Sequence, residues 1–137
     1  MSNPVDLSGS CLCGNIRYEG QAEIVRAINC HCLDCQHATG GAFASMVFVE
    51  KNALAIDGET ASFEHSSDRG STMTKHFCST CGSPMFSENN TRVGMIGIRV
   101  GTLNDTSVFN PTANIFCDSA MPVTAMDPSL ERHDRMG

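Results

Sequence analysis

Seven of the eight cysteines in this 137-residue chain fall into three short groups: Cys11-x-Cys13, Cys30-x-Cys32-x-x-Cys35 and Cys78-x-x-Cys81. Thiols at such spacings can be aimed at one point by a single tight turn, so they constrain the fold before any strand or helix is assigned. No apolar leader is read at the N-terminus, and no run approaches a membrane span. The expected compartment is therefore the reducing cytoplasm, where close cysteines serve as metal ligands or reactive thiols rather than as a disulfide frame.

Cys11 and Cys13 are followed by Gly14, and Cys78 and Cys81 by Gly82. A turn that presents two sulfurs on one side often needs a residue that tolerates positive φ. Two such pairs supply four thiolates, the donor set of a closed tetrahedral zinc site. Such a site would staple an N-terminal hairpin to the middle of the chain. Plain burial explains one or two cysteines but poorly explains two glycine-followed pairs. A redox reading of Cys78 and Cys81 lacks the helix that should follow them: no helical pattern follows, and Pro84 comes three residues after Cys81.

Cys30, Cys32 and Cys35 are three thiols within one turn. Three protein ligands leave a fourth position for water or substrate, the arrangement of a catalytic zinc. Zinc with three thiolates carries one net negative charge, and a substrate thiolate adds another. Positive groups or N–H donors are then needed nearby, and His31, His37, Arg17 and Arg99 are the candidates. His37 or Cys117 could instead close the site as a fourth ligand, and two of the thiols could pair as a disulfide. Asp34 could orient His31 or cap the short helical turn, and it reads as the cap.

The rest of the chain reads as short strands separated by Gly- and Asn-rich turns. Strands are expected at 16–20, 43–49, 60–65, 72–77, 93–100 and 113–118, with Asp68, Arg69 and Gly70 turning between the third and fourth. One helical turn is expected near Leu33 to Ala38. The fold expected is all-β, made of antiparallel sheets with zinc-bearing turns. It is read as one domain, residues 1–137, with a core of about residues 8–122 and tails at 1–6 and 127–137. Phe43, Phe48, Phe77, Phe86 and Phe116 read as core, and Lys75 and His76 as a solvated face. No serine nucleophile is read. At 41% hydrophobic residues the chain can build a core without metal. A net charge of −6 with nine scattered Lys and Arg argues against nucleic acid.

The pattern of Cys11-x-Cys13-Gly14, Cys30-His31-Cys32-x-x-Cys35, Gly40-Gly41-Ala42-Phe43 and Phe77-Cys78-x-x-Cys81-Gly82-Ser83-Pro84 resembles the glutathione-dependent formaldehyde-activating enzymes, described together with the centromere protein V group. The likeness continues through Arg99 to Leu103 and Asn114 to Phe116. It implies an Mss4-like fold of coiled β-sheets. It implies a structural zinc on Cys11, Cys13, Cys78 and Cys81 and a catalytic zinc on Cys30, Cys32 and Cys35. The implied reaction is reversible formation of S-hydroxymethylglutathione from glutathione and formaldehyde, a carbon–sulfur lyase chemistry. The family often has Lys or Arg at the position of His37, His at that of Asn114 and Trp at that of Val123. A homodimer is expected of such an enzyme. The alternative is a non-enzymatic, zinc-stabilised interaction module of the same fold.

Overall fold

The computed structural model describes residues 3–67 and 69–136, so Asp68 of the expected turn lies outside the described residues. In chain order the strands are β1 (Val5–Ser10), β2 (Arg17–Ala22), β3 (Arg26–Cys30), β4 (Ala44–Glu50), β5 (Leu54–Asp57), β6 (Ala61–Ser66), β7 (Thr72–Phe77), β8 (Pro84–Asn89), β9 (Met95–Arg99), β10 (Ala113–Ile115) and β11 (Glu131–Arg132). Among the described residues a single α-helix, α1 (Leu33–Thr39), follows β3. The fold is all-β, as the turn-punctuated sequence implies.

Two sheets form. One has the order β1-β2-β5 and the other β11-β10-β3-β4-β9-β8-β7-β6. Pairing is antiparallel except at one end of the larger sheet, where β10 runs parallel to both β3 and β11. The antiparallel sheets expected from sequence are extended there by parallel pairings. The expected C-terminal tail is corrected. Residues 131–135 run along β10 and beyond it, with His133 N–H donating to Asn114 O and Arg135 O accepting from Phe116 N–H. At the other end, β1 begins at Val5, inside the expected N-terminal tail.

The β4 strand shows why the larger sheet has two distinct faces. Its residues alternate sides. Val47 and Val49 point into a large core with Ile96, Ile98 and Phe86, and this core also takes Leu7 and Tyr18 from the smaller sheet and Ile16 from the turn before β2. Ala44 and Met46 point the other way, into a smaller cluster with Ile28, Cys30, Cys35 and Ile115. One face is thus covered by the second sheet. The other is free to carry a site.

One row across that second face is set by register. Arg26 pairs with Phe48, Phe48 with Gly97, Gly97 with Ser87 and Ser87 with Lys75. Gly97 is required by space. A Cβ there would come within 2.9 Å of the Phe48 ring, which lies across the strand. The row therefore has an aromatic floor between two cationic ends.

Candidate metal centre

The two cysteine–glycine turns come together. Gly14 and Gly82 hold φ of +82° and +79°, the left-handed region that favours glycine. Each closes its turn by donating back to the first cysteine's carbonyl, Gly14 to Cys11 at 3.2 Å and Gly82 to Cys78 at 2.8 Å. Between the turns, Leu12 N–H donates to Ser83 Oγ and Asn15 Nδ2 to Thr80 Oγ1. The Sγ atoms of Cys11 and Cys13 lie 3.6 Å apart, and those of Cys13 and Cys78 3.7 Å apart. All four sulfurs fall within 4.8 Å of one another. Tetrahedral zinc–thiolate bonds require S···S separations of about 3.8 Å, so the donor set and its spacing fit zinc. Hydrogen bonds from the Ser83 hydroxyl and backbone pull the Cys81 thiol down to about 5, so one ligand is readily ionised.

The second cluster is placed by the junction of β3 and α1. Cys30 ends the strand, Cys32 caps the helix and Cys35 sits in its first turn. The cap is the Cys32 sulfur, which accepts from Cys35 N–H at 3.3 Å, and not Asp34 as expected from sequence. Asp34 instead faces His65, at 3.8 Å. Gln36 pins the turn by donating to the carbonyls of His31 and Ser119. The three sulfurs lie within 4.8 Å of one another, with Cys30 and Cys32 at 3.5 Å. Hydrogen bonds from the Cys30 and Cys35 thiols, together with the Cys35 N–H, hold Cys32 down at about 2. The same bond to Cys32, then Cys35 and burial, push Cys30 up. The three thiols titrate as one coupled group. Further ionisation calls for a cation.

Neither expected closing ligand is part of this cluster. His37 is exposed and its Nδ1 lies 2.8 Å from Leu33 O. The Cys117 thiol donates to Asn114 O. Among the described residues, no fourth His, Cys, Asp or Glu joins Cys30, Cys32 and Cys35.

The four candidate basic residues divide. Arg17 serves the first cluster, donating through Nε to Gly14 O. His31 is fully buried, with Nε2 2.9 Å from Asn114 Oδ1 and its ring 4.9 Å from that of Phe43. Arg99 is 6% exposed, and its Nε and Nη1 find no hydrogen-bond partner among the described residues. Burial lowers its pKa, while the charges of Cys35, Cys30 and Cys32 act the other way. A buried guanidinium with two unpartnered nitrogens near three thiols fits a centre that carries net negative charge. Lys75, expected on a solvated face, turns inward and lines a cavity with the three cysteines. Burial lowers its pKa, and Cys35 is the strongest opposing influence.

That cavity, of about 140 Å³, lies on the free face of the larger sheet. Arg26, Arg69 and Arg92 also reach it. Four of the chain's nine Lys and Arg thus gather at one cavity in a molecule of net charge −6. Phe48 and Phe116, expected as core, are half-buried and form part of its wall.

The family model for glutathione-dependent formaldehyde-activating enzymes matches residues 6–119. The chain belongs to this family. The match spans both cysteine clusters of this family member, and it stops before β11. No curated protein matches the chain. A crystal structure of a Rhodobacter sphaeroides protein is similar in fold, with a TM-score of 0.58 at 19% identity, covering 76% of this chain and 96% of that one. No helix among the described residues is long and apolar enough to cross a membrane.

Asn114 occupies the position where the family often has His, and its role here is visible. It is 3% exposed and supplies the oxygen opposite His31 Nε2. Replacing Asn114 with Ala leaves that buried imidazole nitrogen without its partner. The expected cost is about 1–3 kcal/mol, read by thermal or denaturant unfolding. Wild-type stability in that variant would show that the His31–Asn114 pair does not hold the turn.

Proposed function

We propose that this protein catalyses the reversible addition of a thiol of the glutathione type to formaldehyde or a related aldehyde, a carbon–sulfur lyase reaction, at Cys30, Cys32 and Cys35. The observation that carries this reading is a three-thiol cluster without a fourth protein ligand among the described residues, opening on a cavity lined by several cations. Cys11, Cys13, Cys78 and Cys81 are assigned a structural zinc, and Cys30, Cys32 and Cys35 a second, exchangeable one. Bound there, zinc supplies the acidity that takes the proton from a thiol near neutral pH.

The chain's own residues do the rest. Arg99 and Lys75 offset the negative charge that accumulates where three cysteine sulfurs meet a fourth. Arg26, Arg69 and Arg92 suit the carboxylates of a glutathione-like thiol, since guanidinium groups bind carboxylates in a fixed fork. The cavity brings the sulfur and the carbonyl carbon together and excludes competing water. The S–C bond forms as the carbonyl π bond breaks, and the thiol proton ends on the oxygen. We read the chain as one domain acting in the cytoplasm, where its thiols stay reduced.

Exchange spectroscopy of a glutathione and formaldehyde mixture tests the reading. Zinc-loaded protein should accelerate interconversion between free thiol and hydroxymethyl adduct well beyond the uncatalysed rate. An unchanged rate with formaldehyde and with larger aldehydes would leave the interaction module as the better account.

A further inference from the structure

The cavity beside the three thiols has a wall that formaldehyde cannot use. Ile28, Met46, Phe48, Met73, Phe116 and Met136 line it, and its surface is mostly apolar. A one-carbon aldehyde has no apolar body to bury against them.

Two of these side chains are placed by unusual means. Phe116 has φ 55° and ψ 41°, the one non-glycine residue with positive φ among the described residues. Side-chain-bearing residues avoid that region unless their surroundings impose it. Met136 lies beyond residue 119, where the family match ends. Its carbonyl accepts from Arg26 Nη2 at 3.0 Å, and the preceding Arg135 carbonyl accepts from Phe116 N–H at 2.8 Å. The C-terminal segment is therefore tied to both a cation and an aromatic of the cavity, and it adds its own apolar side chain.

We infer that the site takes a thiol adduct whose aldehyde-derived carbon bears an apolar body of several carbons, with Phe116 and Met136 forming part of the surface that holds it. This rests on the thiol–aldehyde reading above and narrows its substrate class. The bonds exchanged are the same: S–C forms, the carbonyl π bond breaks, the thiol proton moves to oxygen, and no oxidant is involved. Arg26, Arg69 and Arg92 hold the anionic end of the thiol partner, and the carbon wall holds the other end.

Calorimetry with S-methylglutathione and S-hexylglutathione on the zinc-loaded full chain tests this without turnover. The two thioethers share every charged group and differ only in alkyl length. Each buried methylene is worth about fourfold in affinity, so the hexyl compound should bind at least about thirtyfold more tightly. Met136→Ala should shrink that ratio by about fivefold or more. Equal affinities for the wild type, or no binding of either compound, would overturn the inference. A ratio unmoved by Met136→Ala would remove the C-terminal segment from the wall. Equal affinities alongside glutathione–formaldehyde exchange would refute the inference and keep the proposed reaction. Graded affinities without exchange for any aldehyde would refute the proposed reaction, and with it the aldehyde-derived substrate, leaving only an apolar wall that holds an alkyl thioether.

Discussion

Cys78→Ser is expected to lower the melting temperature by about 15 °C or more, because a lost zinc staple should cost about 5 kcal/mol in a domain of this size. Cys78 is 1% exposed and starts the turn that faces Cys11 and Cys13. Serine's hydroxyl does not ionise near neutral pH, so the metal would lose a ligand while the site kept its shape. The damage would not stay local. Cys11 and Cys78 belong to the large core along with Leu7, Ile16, Met85 and Phe86. Loosening their turns unpacks the smaller sheet from the larger one. Cys13→Ser is the useful companion, since Cys13 is exposed and contributes a ligand but little packing. Both variants should lose one zinc per chain, and both should melt well below wild type. A normal melting curve for Cys13→Ser with the zinc gone would show that packing, not metal, joins the two turns. Stripping zinc from the wild type with a chelator should reproduce the Cys13→Ser curve.

The clusters were legible in the sequence because metal ligation by turns is local. Spacing within each group, with Gly14 and Gly82 behind two of them, already limits where the sulfurs can point. The cavity was not legible, because its residues meet only through strand register. Lys75 sits in Thr72–Phe77, a strand half-buried along its whole length, so no alternation marks an inward side. Its partner Ser87 and the opposing Arg26 are brought into one row by pairings among five strands. Sequence reading also passed over β1, β3, β5 and β8. Val5–Ser10 and Pro84–Asn89 mix Gly, Ser, Asp and Asn with their apolar residues, and propensity gives way there to cross-strand burial. The C-terminal segment is polar and short, and its place beside β10 depends on carbonyls offered by Arg135 and His133. Such backbone pairing leaves almost no trace in side-chain pattern.

Cys32→Ser should reduce turnover by about a thousandfold or more, on the scale of removing a group that stabilises developing charge in an active site, while leaving the fold intact. The structure makes this substitution unusually clean. Cys32 has two roles: its sulfur belongs to the three-thiol cluster, and it caps α1 by accepting from Cys35 N–H. Serine is among the preferred N-cap residues, so the helix keeps its cap while the cluster loses a thiolate. Cys32→Ala removes both, and should be less stable than Cys32→Ser by about 1 kcal/mol. A ranking of activity as wild type far above both variants, with alanine the less stable of the two, would separate chemistry from capping. Each variant should lose one zinc per chain and keep the other, because Cys11, Cys13, Cys78 and Cys81 form a separate cluster. If Cys32→Ser turned over within tenfold of wild type, the reaction would not depend on this cluster, and the cationic cavity would need a different chemistry. If it lost both zincs and melted early, the three-thiol turn would be a second staple, and its position under the cavity would be a consequence of folding alone.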